Sequence, residues 1–173
     1  MNTIEAMKTR RSCRDFLDRM PNEQTIREIA EAGSYAASGM NRQAPIIICV
    51  TDRRTRDWLS ELNARIMGKE NFDPFYGAPA ILIVLADKNV PTHVYDGSLV
   101  MGNLMLAASE KGLASCWIHR AKEEFETEEG RELLKSLGIE GDYEGIGHCA
   151  LGYAATPAAP APARKENYIR FVK

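Results

Sequence analysis

The run Ala80-Ile81-Leu82-Ile83-Val84-Leu85-Ala86 decides the fold of this chain. It is apolar throughout, of strand length, and followed at once by Asp87. Such a run predicts a buried β-strand. Three further apolar stretches predict strands at residues 46–50, 114–119 and 145–153. Helical patterns lie between them, so the sequence predicts a mixture of helices and strands around a core sheet of four or five strands.

The intervening helices are predicted from apolar spacing and capping residues. A short helical stretch over residues 2–7 comes first, and a helix capped by Asn22 runs to about Tyr35. Three more patterns follow, at residues 53–67, 96–111 and 123–137. The second of these is apolar nearly all round, which predicts a central, buried helix. The third is acidic and predicts an exposed helix.

Composition restricts the class of protein. The chain has 173 residues, of which 45% are hydrophobic and 27% charged, and its net charge is −2. These values are typical of one globular domain and do not favour a nucleic-acid-binding protein. No apolar stretch is long enough to span a membrane, and cations interrupt the N-terminus where a signal peptide would be apolar. The scattered cysteines and histidines predict reduced thiols, a cytoplasmic location and no metal site.

The run Lys8-Thr9-Arg10-Arg11-Ser12-Cys13-Arg14 is the strongest candidate binding motif. It brings four cations and two hydroxyls into seven residues. Guanidinium groups match the geometry of a doubly charged phosphate, and hydroxyls add further donors. The alternative is a solvated basic loop, which most charge runs form. The chain has no strand–GxGxxG–helix unit and no GxxxxGK[ST] motif, so side chains would have to hold any phosphate.

The C-terminal residues form a distinct segment. Residues 154–163, AATPAAPAPA, predict an extended chain because proline excludes helix and core strand. Residues 167–172 then alternate like a strand. A stiff segment that carries strand-forming residues away from its own domain suggests docking on a partner subunit. A floppy linker to a disordered tail is the alternative.

Five short motifs together resemble the FMN-dependent nitroreductase family in its short, single-domain form. They are RRSCRDF (10–16), ASGMNRQAP (37–45), YGAP (76–79), GLASCWI (112–118) and RK (164–165). They occur in the order found in that family and cover essentially the whole chain. The resemblance implies an α+β fold with a central four- to five-stranded mixed sheet flanked by helices, built as a single domain over residues 1–173.

The resemblance also implies an assembly and an activity. Members of the family are homodimers with FMN sites at the subunit interface, so residues 154–173 would be exchanged between subunits and dock on the partner. The implied reaction passes hydride from NAD(P)H to flavin N5. A nitroaromatic, quinone or similar small oxidant then takes the electrons by a ping-pong mechanism, with no role for nucleic acid or membrane.

Carried over by position, the resemblance implies four groups of FMN-binding residues. The N-terminal motif and the C-terminal pair would hold the phosphate, with Arg14 directed to the N1/O2 edge of the ring. The loop after the second helix would reach the flavin of the other subunit, and the segment after the third strand would turn its backbone to N5. These residues are Arg10, Arg11, Ser12, Arg14, Ala37, Ser38, Gly39, Asn41, Gln43, Trp117, Ile118, His119, Arg164 and Lys165. No catalytic side chain is assigned, and His119 is the nearest candidate for proton transfer.

One departure from the family and two rival classes remain. Many longer members carry a lysine before the second core strand, where this chain has Asp73-Pro74-Phe75-Tyr76, so Arg14 would supply the cation alone. One rival is a flavin-binding protein of the same fold that modifies or sequesters flavin without turnover. The other is a module whose basic run binds RNA or another polyanion, which the net charge disfavours.

Overall fold

A computed structural model describes residues 3–173, so residue 2, the start of the predicted opening helix, lies outside the described residues. Helices and strands follow one another along the chain, with a short 3₁₀ turn at Gly39–Asn41. The elements are α1 (Thr3–Thr9), α2 (Glu23–Ser34), β1 (Pro45–Val50), α3 (Arg53–Ile66), β2 (Ala80–Asp87), α4 (His93–Glu110), β3 (Ala114–Ile118), α5 (Ala121–Glu126), α6 (Glu128–Ser136) and β4 (Tyr143–Gly152).

The strands form one sheet in the order β1-β2-β4-β3, and all three pairs of neighbours run antiparallel. The expectation of a mixed sheet is therefore wrong for these strands. Within residues 3–173, parallel pairing occurs as an isolated bridge between Ser12 and Ser115. The sequence could not decide strand direction here, because a connection long enough to contain a helix can return the chain in either direction.

Helices cover both faces of the sheet. Alternate residues of β2 point to opposite faces, so Leu82 and Val84 join one core with α2 and α4. Ile81, Ile83 and Leu85 join a second core with α3, α5 and α6. The side chains from Ile81 to Ala86 are completely inaccessible to solvent, which confirms the prediction of a buried strand.

Two helix predictions are corrected. Val100 and Leu104 of α4 are buried, but Tyr95 is 73% exposed and Leu99 is 51% exposed, so in the single chain this helix is not buried all round. The predicted helix over 123–137 is two helices that meet at Thr127. The extended backbone of Thr127 ends α5, and its hydroxyl caps α6 by accepting a hydrogen bond from Gly130 N at 3.0 Å.

The C-terminal segment, residues 155–173, has no strand within the single chain. Its apolar side chains are exposed, and Phe171 retains 83% of its accessible surface. A strand needs a neighbour to pair its backbone. Among the described residues, the backbone bond from Ala155 N to Asp15 O holds only the start of this segment, so its docking on a partner stays a prediction. No helix among the described residues combines the length and apolarity needed to cross a bilayer.

Candidate functional site

The basic run and the C-terminal segment enclose a cavity of about 640 Å³. Four guanidinium groups line it, from Arg10, Arg11, Arg14 and Arg164, together with Ser12. No carboxylate is among its lining residues. Such a concentration of cations without counter-charge is unfavourable unless an anion shares the space, and guanidinium donors favour phosphate.

Backbone pairing places these residues. The basic run begins where α1 ends, and Cys13 N donates to Ser115 O at 3.0 Å, which fixes the run beside β3. Ala155 N then donates to Asp15 O at 2.9 Å, so the chain leaving β4 lies against the same run. The C-terminal segment therefore starts at the basic run and returns Arg164 to it.

The cations of the cavity have few partners of their own. Arg10 Nη1 lies 3.6 Å from the sulfur of Met105, and Arg11 Nη2 donates to Lys8 O at 2.9 Å. Arg164 Nη2 donates to Pro162 O at 2.9 Å. Within residues 3–173, none of the lining guanidiniums pairs with a carboxylate, and that of Arg14 has no hydrogen-bond partner. Their charge is available to a ligand.

Lys165 does not join this group. It is absent from the cavity lining, and its ammonium lies 5.4 Å from the centroid of the Tyr168 ring. The structure therefore separates the C-terminal pair, with Arg164 at the cavity and Lys165 beside an aromatic side chain of the same segment.

A second cavity, of about 190 Å³, adjoins the first through Arg14. The segment at the end of β3 lines it, with Trp117, Ile118 and His119 all contributing. Ile118 is buried, Trp117 is half-buried and His119 is exposed. Aromatic and apolar side chains from the loop before β2 complete the lining, namely Met67, Phe72, Pro74 and Tyr76. The structure thus brings the N-terminal motif and residues 117–119 together around Arg14.

The loop over residues 37–43 lies elsewhere in the single chain. Ala37, Ser38 and Gln43 line a separate cavity of about 330 Å³ against α2 and α4, and none of the loop lines the two cavities around Arg14. Asn41 and Gln43 are exposed. One subunit alone therefore does not unite this predicted group with the basic run.

The backbone of the same loop adopts a sparsely populated conformation. Met40, Asn41 and Gln43 all have positive φ, of 54°, 55° and 50°. Side-chain bonds support it: Ser38 Oγ accepts from Gln43 N at 3.1 Å, and Gln43 Nε2 donates to Asn41 Oδ1 at 3.3 Å. Sparsely populated backbone conformations persist where surrounding contacts determine them, and they cluster at ligand-binding positions.

Sequence reasoning missed the residue that ties this loop to the fold. Asp96 of α4 is buried, and its two oxygens accept from Gly39 N at 3.0 Å and from the Thr92 hydroxyl at 2.9 Å. A Cβ at Gly39 would lie 2.4 Å from Thr92 Oγ1, so only glycine allows this approach. The feature of the sequence that could have identified Asp96 is an acidic residue in the first turn of an otherwise apolar helix.

The departure at residues 73–76 has a structural role. Asp73 accepts hydrogen bonds from Arg56 Nη2 at 2.5 Å and from the Ser60 hydroxyl at 2.7 Å. It also accepts from the backbone N–H groups of Phe75 and Gly77. Its carboxylate is therefore directed at α3 and at its own turn, whereas Tyr76 lines the smaller cavity beside Arg14.

The side chains of the two cavities supply cations, hydroxyls and apolar surface for binding a ligand. Burial raises the pKa of the Cys116 thiol, which lines the smaller cavity, and this keeps it protonated at neutral pH. Over residues 3–173, no three metal-ligating side chains come close enough to hold an ion. The two adjoining cavities suit a ligand with an anionic end and a flat, partly apolar end.

Comparisons with known proteins concern the family and the fold of the chain. Residues 7–153 match the model of the nitroreductase family. An archaeal protein from Methanothermobacter thermautotrophicus, named "Putative NADH dehydrogenase/NAD(P)H nitroreductase", is 30% identical over 122 residues. That match covers 68% of this chain and 60% of the relative, so the chain spans less than two thirds of the relative's length.

Solved structures show the same fold over the full length. The crystal structure of a nitroreductase with bound FMN from Bacteroides fragilis NCTC 9343 is 29% identical, with a TM-score of 0.88 and complete coverage of both chains. The nitroreductase with bound FMN from Desulfitobacterium hafniense DCB-2 is 27% identical, with the same TM-score and coverage.

Proposed function

Because the chain belongs to the nitroreductase family, we propose that it is an FMN-dependent oxidoreductase that takes hydride from NAD(P)H and reduces a nitroaromatic, quinone or similar small oxidant by a ping-pong mechanism. The observation that carries this proposal is the larger cavity, which is lined by four arginines and by no carboxylate among the described residues. It adjoins the smaller cavity, with its aromatic side chains, through Arg14. A phosphate joined to a flat ring system matches both parts.

The residues of the site fit FMN. Arg10, Arg11 and Arg164 would hold the phosphate, and the Ser12 hydroxyl would bond to the phosphate or ribityl chain. When bound, FMN accepts hydride at N5 and delivers two electrons to the oxidant. The donor set matches a dianion, and the apolar side chains around Tyr76 match a ring.

Arg14 would tune the reduction potential of the flavin. Its guanidinium lines both cavities and has no hydrogen-bond partner among the described residues. A cation beside the pyrimidine edge of the ring favours the anionic reduced cofactor and raises its reduction potential. Asp73 and its neighbours supply no cation there. Arg120 also lines the smaller cavity, but its Nε donates to Asn63 Oδ1, so Arg14 is the cation that we assign to the ring.

The backbone of Trp117, Ile118 and His119 would face the reactive part of the ring. A backbone N–H directed at N5 stabilises charge that develops there during hydride transfer. His119 is exposed at the rim of the smaller cavity, where it borders the space for the nicotinamide or oxidant. Proton transfer at the ring requires no side chain, since water can supply it.

We further propose a homodimer as the functional unit. The exposed face of α4, with Tyr95 and Leu99, and the exposed apolar side chains of the C-terminal segment are the surfaces that a second copy would cover. The loop over residues 37–43 would then complete the site of the other subunit. Its separation from the basic run within one chain supports this arrangement.

An absorbance spectrum of the purified protein tests the proposal. We expect the bands of oxidised flavin, either as isolated or after addition of FMN, and bleaching on anaerobic addition of NADH or NADPH. Return of the bands on addition of nitrofurazone or menadione would support a reductase of that substrate class. A protein that retains no FMN would refute the proposal, and a yellow protein that neither nucleotide bleaches would refute the NAD(P)H-dependent activity.

A further inference from the structure

A fully buried acid–base pair lies behind the segment that ends β3. Glu124 of α5 and His148 of β4 are both completely inaccessible to solvent, and Oε2 of Glu124 lies 2.8 Å from Nε2 of His148. Neither of these two atoms has a hydrogen-bond partner within the described residues, so the contact is a close approach of two buried polar atoms. The ring of Phe75 lies 5.2 Å from that of His148 and separates it from solvent on that side.

Asn63 of α3 connects this pair to the segment. It is completely buried, and its Nδ2 donates both to Glu124 Oε1 and to the carbonyl of His119, the latter at 3.0 Å. Its Oδ1 accepts from Arg120 Nε at 2.9 Å. Both polar atoms of the Asn63 side-chain amide therefore form hydrogen bonds with Glu124 or with the two residues that follow β3.

The segment needs such support. Arg120 has φ of +76°, a left-handed conformation that side-chain-bearing residues rarely adopt. Such a conformation persists only where the surrounding contacts determine it. Ile118 pairs with His148 in the sheet register, so the buried histidine also lies opposite the last residue of β3. Three elements, α3, α5 and β4, thus converge on residues 118–120.

A contribution to stability alone does not account for this arrangement. A buried polar pair is often no more stabilising than apolar side chains of the same volume, because both groups lose their hydration. Hydrogen bonds add a fixed orientation: Asn63 Nδ2 donates to the backbone carbonyl of His119, and Asn63 Oδ1 accepts from the Arg120 side chain, whereas apolar packing would leave the segment free to shift.

We propose that Asn63, Glu124 and His148 are positioning residues, which hold the backbone of residues 118–120 in the orientation that binds the flavin ring. The inference rests on the proposed function, because it concerns the segment that faces the cofactor. None of the three lines either cavity around Arg14, so each acts through the segment and not by contact with the ligand.

Hydrogen–deuterium exchange in the FMN-free protein tests the inference independently of the cofactor. Asn63→Ala removes the donor to His119 O, and Glu124→Gln keeps the shape while it replaces the carboxyl group that accepts from Asn63. Ile29→Val is the control, because Ile29 is fully buried in the other core, on the opposite face of the sheet. We expect exchange at residues 118–121 to rise about tenfold in Asn63→Ala, and less in Glu124→Gln, with β2 unchanged.

A change in exchange that is spread evenly over β2 and β3, or that equals the change in Ile29→Val, would overturn the inference. If Asn63→Ala fails to fold, Glu124→Gln tests the inference, because it alters the carboxyl group that contacts both Asn63 and His148 and preserves the shape of the side chain. Unchanged exchange at residues 118–121 in a folded Glu124→Gln would then overturn the inference.

The second readout is the bound cofactor. With the wild-type protein saturated by FMN, we expect Asn63→Ala to raise the dissociation constant of FMN about tenfold and to shift its absorption maxima and midpoint potential. Ile29→Val should change none of these. If the wild type binds no FMN, the proposed function fails, and the exchange data still decide the positioning role. If the wild type binds FMN and the variants match it in affinity, spectrum and potential, the inference fails alone.

Discussion

At the scale of the residue, the environment of each ionisable group decides whether it acts in binding or in structure. Arg14 is exposed and has no hydrogen-bond partner among residues 3–173, and is therefore available to a ligand. The guanidinium of Arg56 is buried, with bonds to Ala78 O at 2.8 Å and to Asp73. The same chemical group is thus available for binding in one place and supports a turn in the other.

Asp73 makes stability depend on pH in the acidic range. Burial raises its pKa, but hydrogen bonds from Arg56, Ser60 and Gly77 outweigh burial and lower the pKa overall. The folded pKa lies below the unfolded one, so the contribution is complete at pH 7 and is lost as pH falls through about 4 and below. We expect Asp73→Asn to lower the free energy of unfolding by about 1–3 kcal/mol at pH 7.

Urea unfolding of wild type and Asp73→Asn between pH 3 and 7 measures this effect. The difference between the two proteins should shrink below about pH 4, where the wild-type carboxylate becomes protonated. The control is Asp142→Asn, which breaks an exposed ion pair with Lys88 and should cost less than about 1 kcal/mol. A difference that stays constant over the whole pH range would show that the charge of Asp73 is not responsible.

The cysteines should differ sharply in reactivity. Burial raises the pKa of Cys149 to about 12, and its side chain is inaccessible, so even at pH 9 roughly one molecule in a thousand carries the thiolate. Cys49 is exposed on the edge strand β1, although desolvation raises its pKa too. We expect iodoacetamide to label Cys49 in the native protein and Cys149 only after denaturation, as peptide mass mapping would show. Equal labelling rates of Cys49 and Cys149 in the native protein would mean that β4 opens readily and exposes Cys149.

At the scale of the element, glycines allow α5 to approach the sheet. The register between β2 and β4 shifts between Val84 and Leu85, so Gly147 and Gly145 pair with these neighbours and Ile146 is the extra residue. This bulge brings Gly145 against the first turn of α5. The helix then carries Glu124 inward to His148, so the bulge is what lets the buried pair form.

Adding a methyl group at Gly145 should disrupt this contact. A Cβ there would lie 2.2 Å from the carbonyl oxygen of Ala121, which is backbone and cannot rotate away. We expect Gly145→Ala to lower the free energy of unfolding by about 1–3 kcal/mol, measured by urea unfolding. The matched control on the exposed side of α5, Glu123→Ala, should change it by less than about 0.5 kcal/mol. If both variants unfold alike, the close approach is not required.

At the scale of the whole molecule, the single chain leaves several apolar side chains uncovered. Two of these surfaces are the face of α4 that carries Tyr95 and Leu99, and the C-terminal segment with Tyr168, Ile169 and Phe171. Exposed apolar patches of this kind mark protein interfaces. The proposed dimer would cover both and bring the loop over residues 37–43 to the basic run.

Replacing one exposed leucine by a charged residue tests the proposed dimer. Leu99 of α4 and Leu137, which follows α6, are equally exposed at 51%, so they form a matched pair. We expect Leu99→Arg to convert the protein to a folded monomer and to weaken FMN binding at least tenfold, since a charge in an apolar interface is unpaired. Leu137→Arg should leave both unchanged. Sedimentation velocity and FMN titration would show this, and a Leu99→Arg protein of unchanged mass would locate the interface elsewhere.

The sequence by itself determined the elements and most of the chemistry. The apolar runs predicted the four strands, because a buried strand must be apolar on both faces, and the basic run predicted an anion site, because guanidinium groups match phosphate. Most of the residues that we propose to bind FMN lie in short motifs of the sequence. Such motifs indicate local geometry, as the glycine and the amide side chains of residues 39–43 do. Three of the four guanidinium groups that line the cavity stand within five consecutive positions.

Only the tertiary structure decided how distant parts meet. The antiparallel direction of the strands depends on long connections, whose path no local pattern encodes. Arg164 lines the same cavity as Arg10, and the segment that carries it starts beside the basic run through the Phe16–Ala154 bridge and the bond from Ala155 N to Asp15 O. The pairing of Glu124 with His148, and of Asn63 with both His119 and Arg120, is invisible in sequence because each residue comes from a different element. Their burial is a property of the packed core, in which Asn63 obtains its hydrogen-bond partners from other elements and Glu124 and His148 lie in close contact.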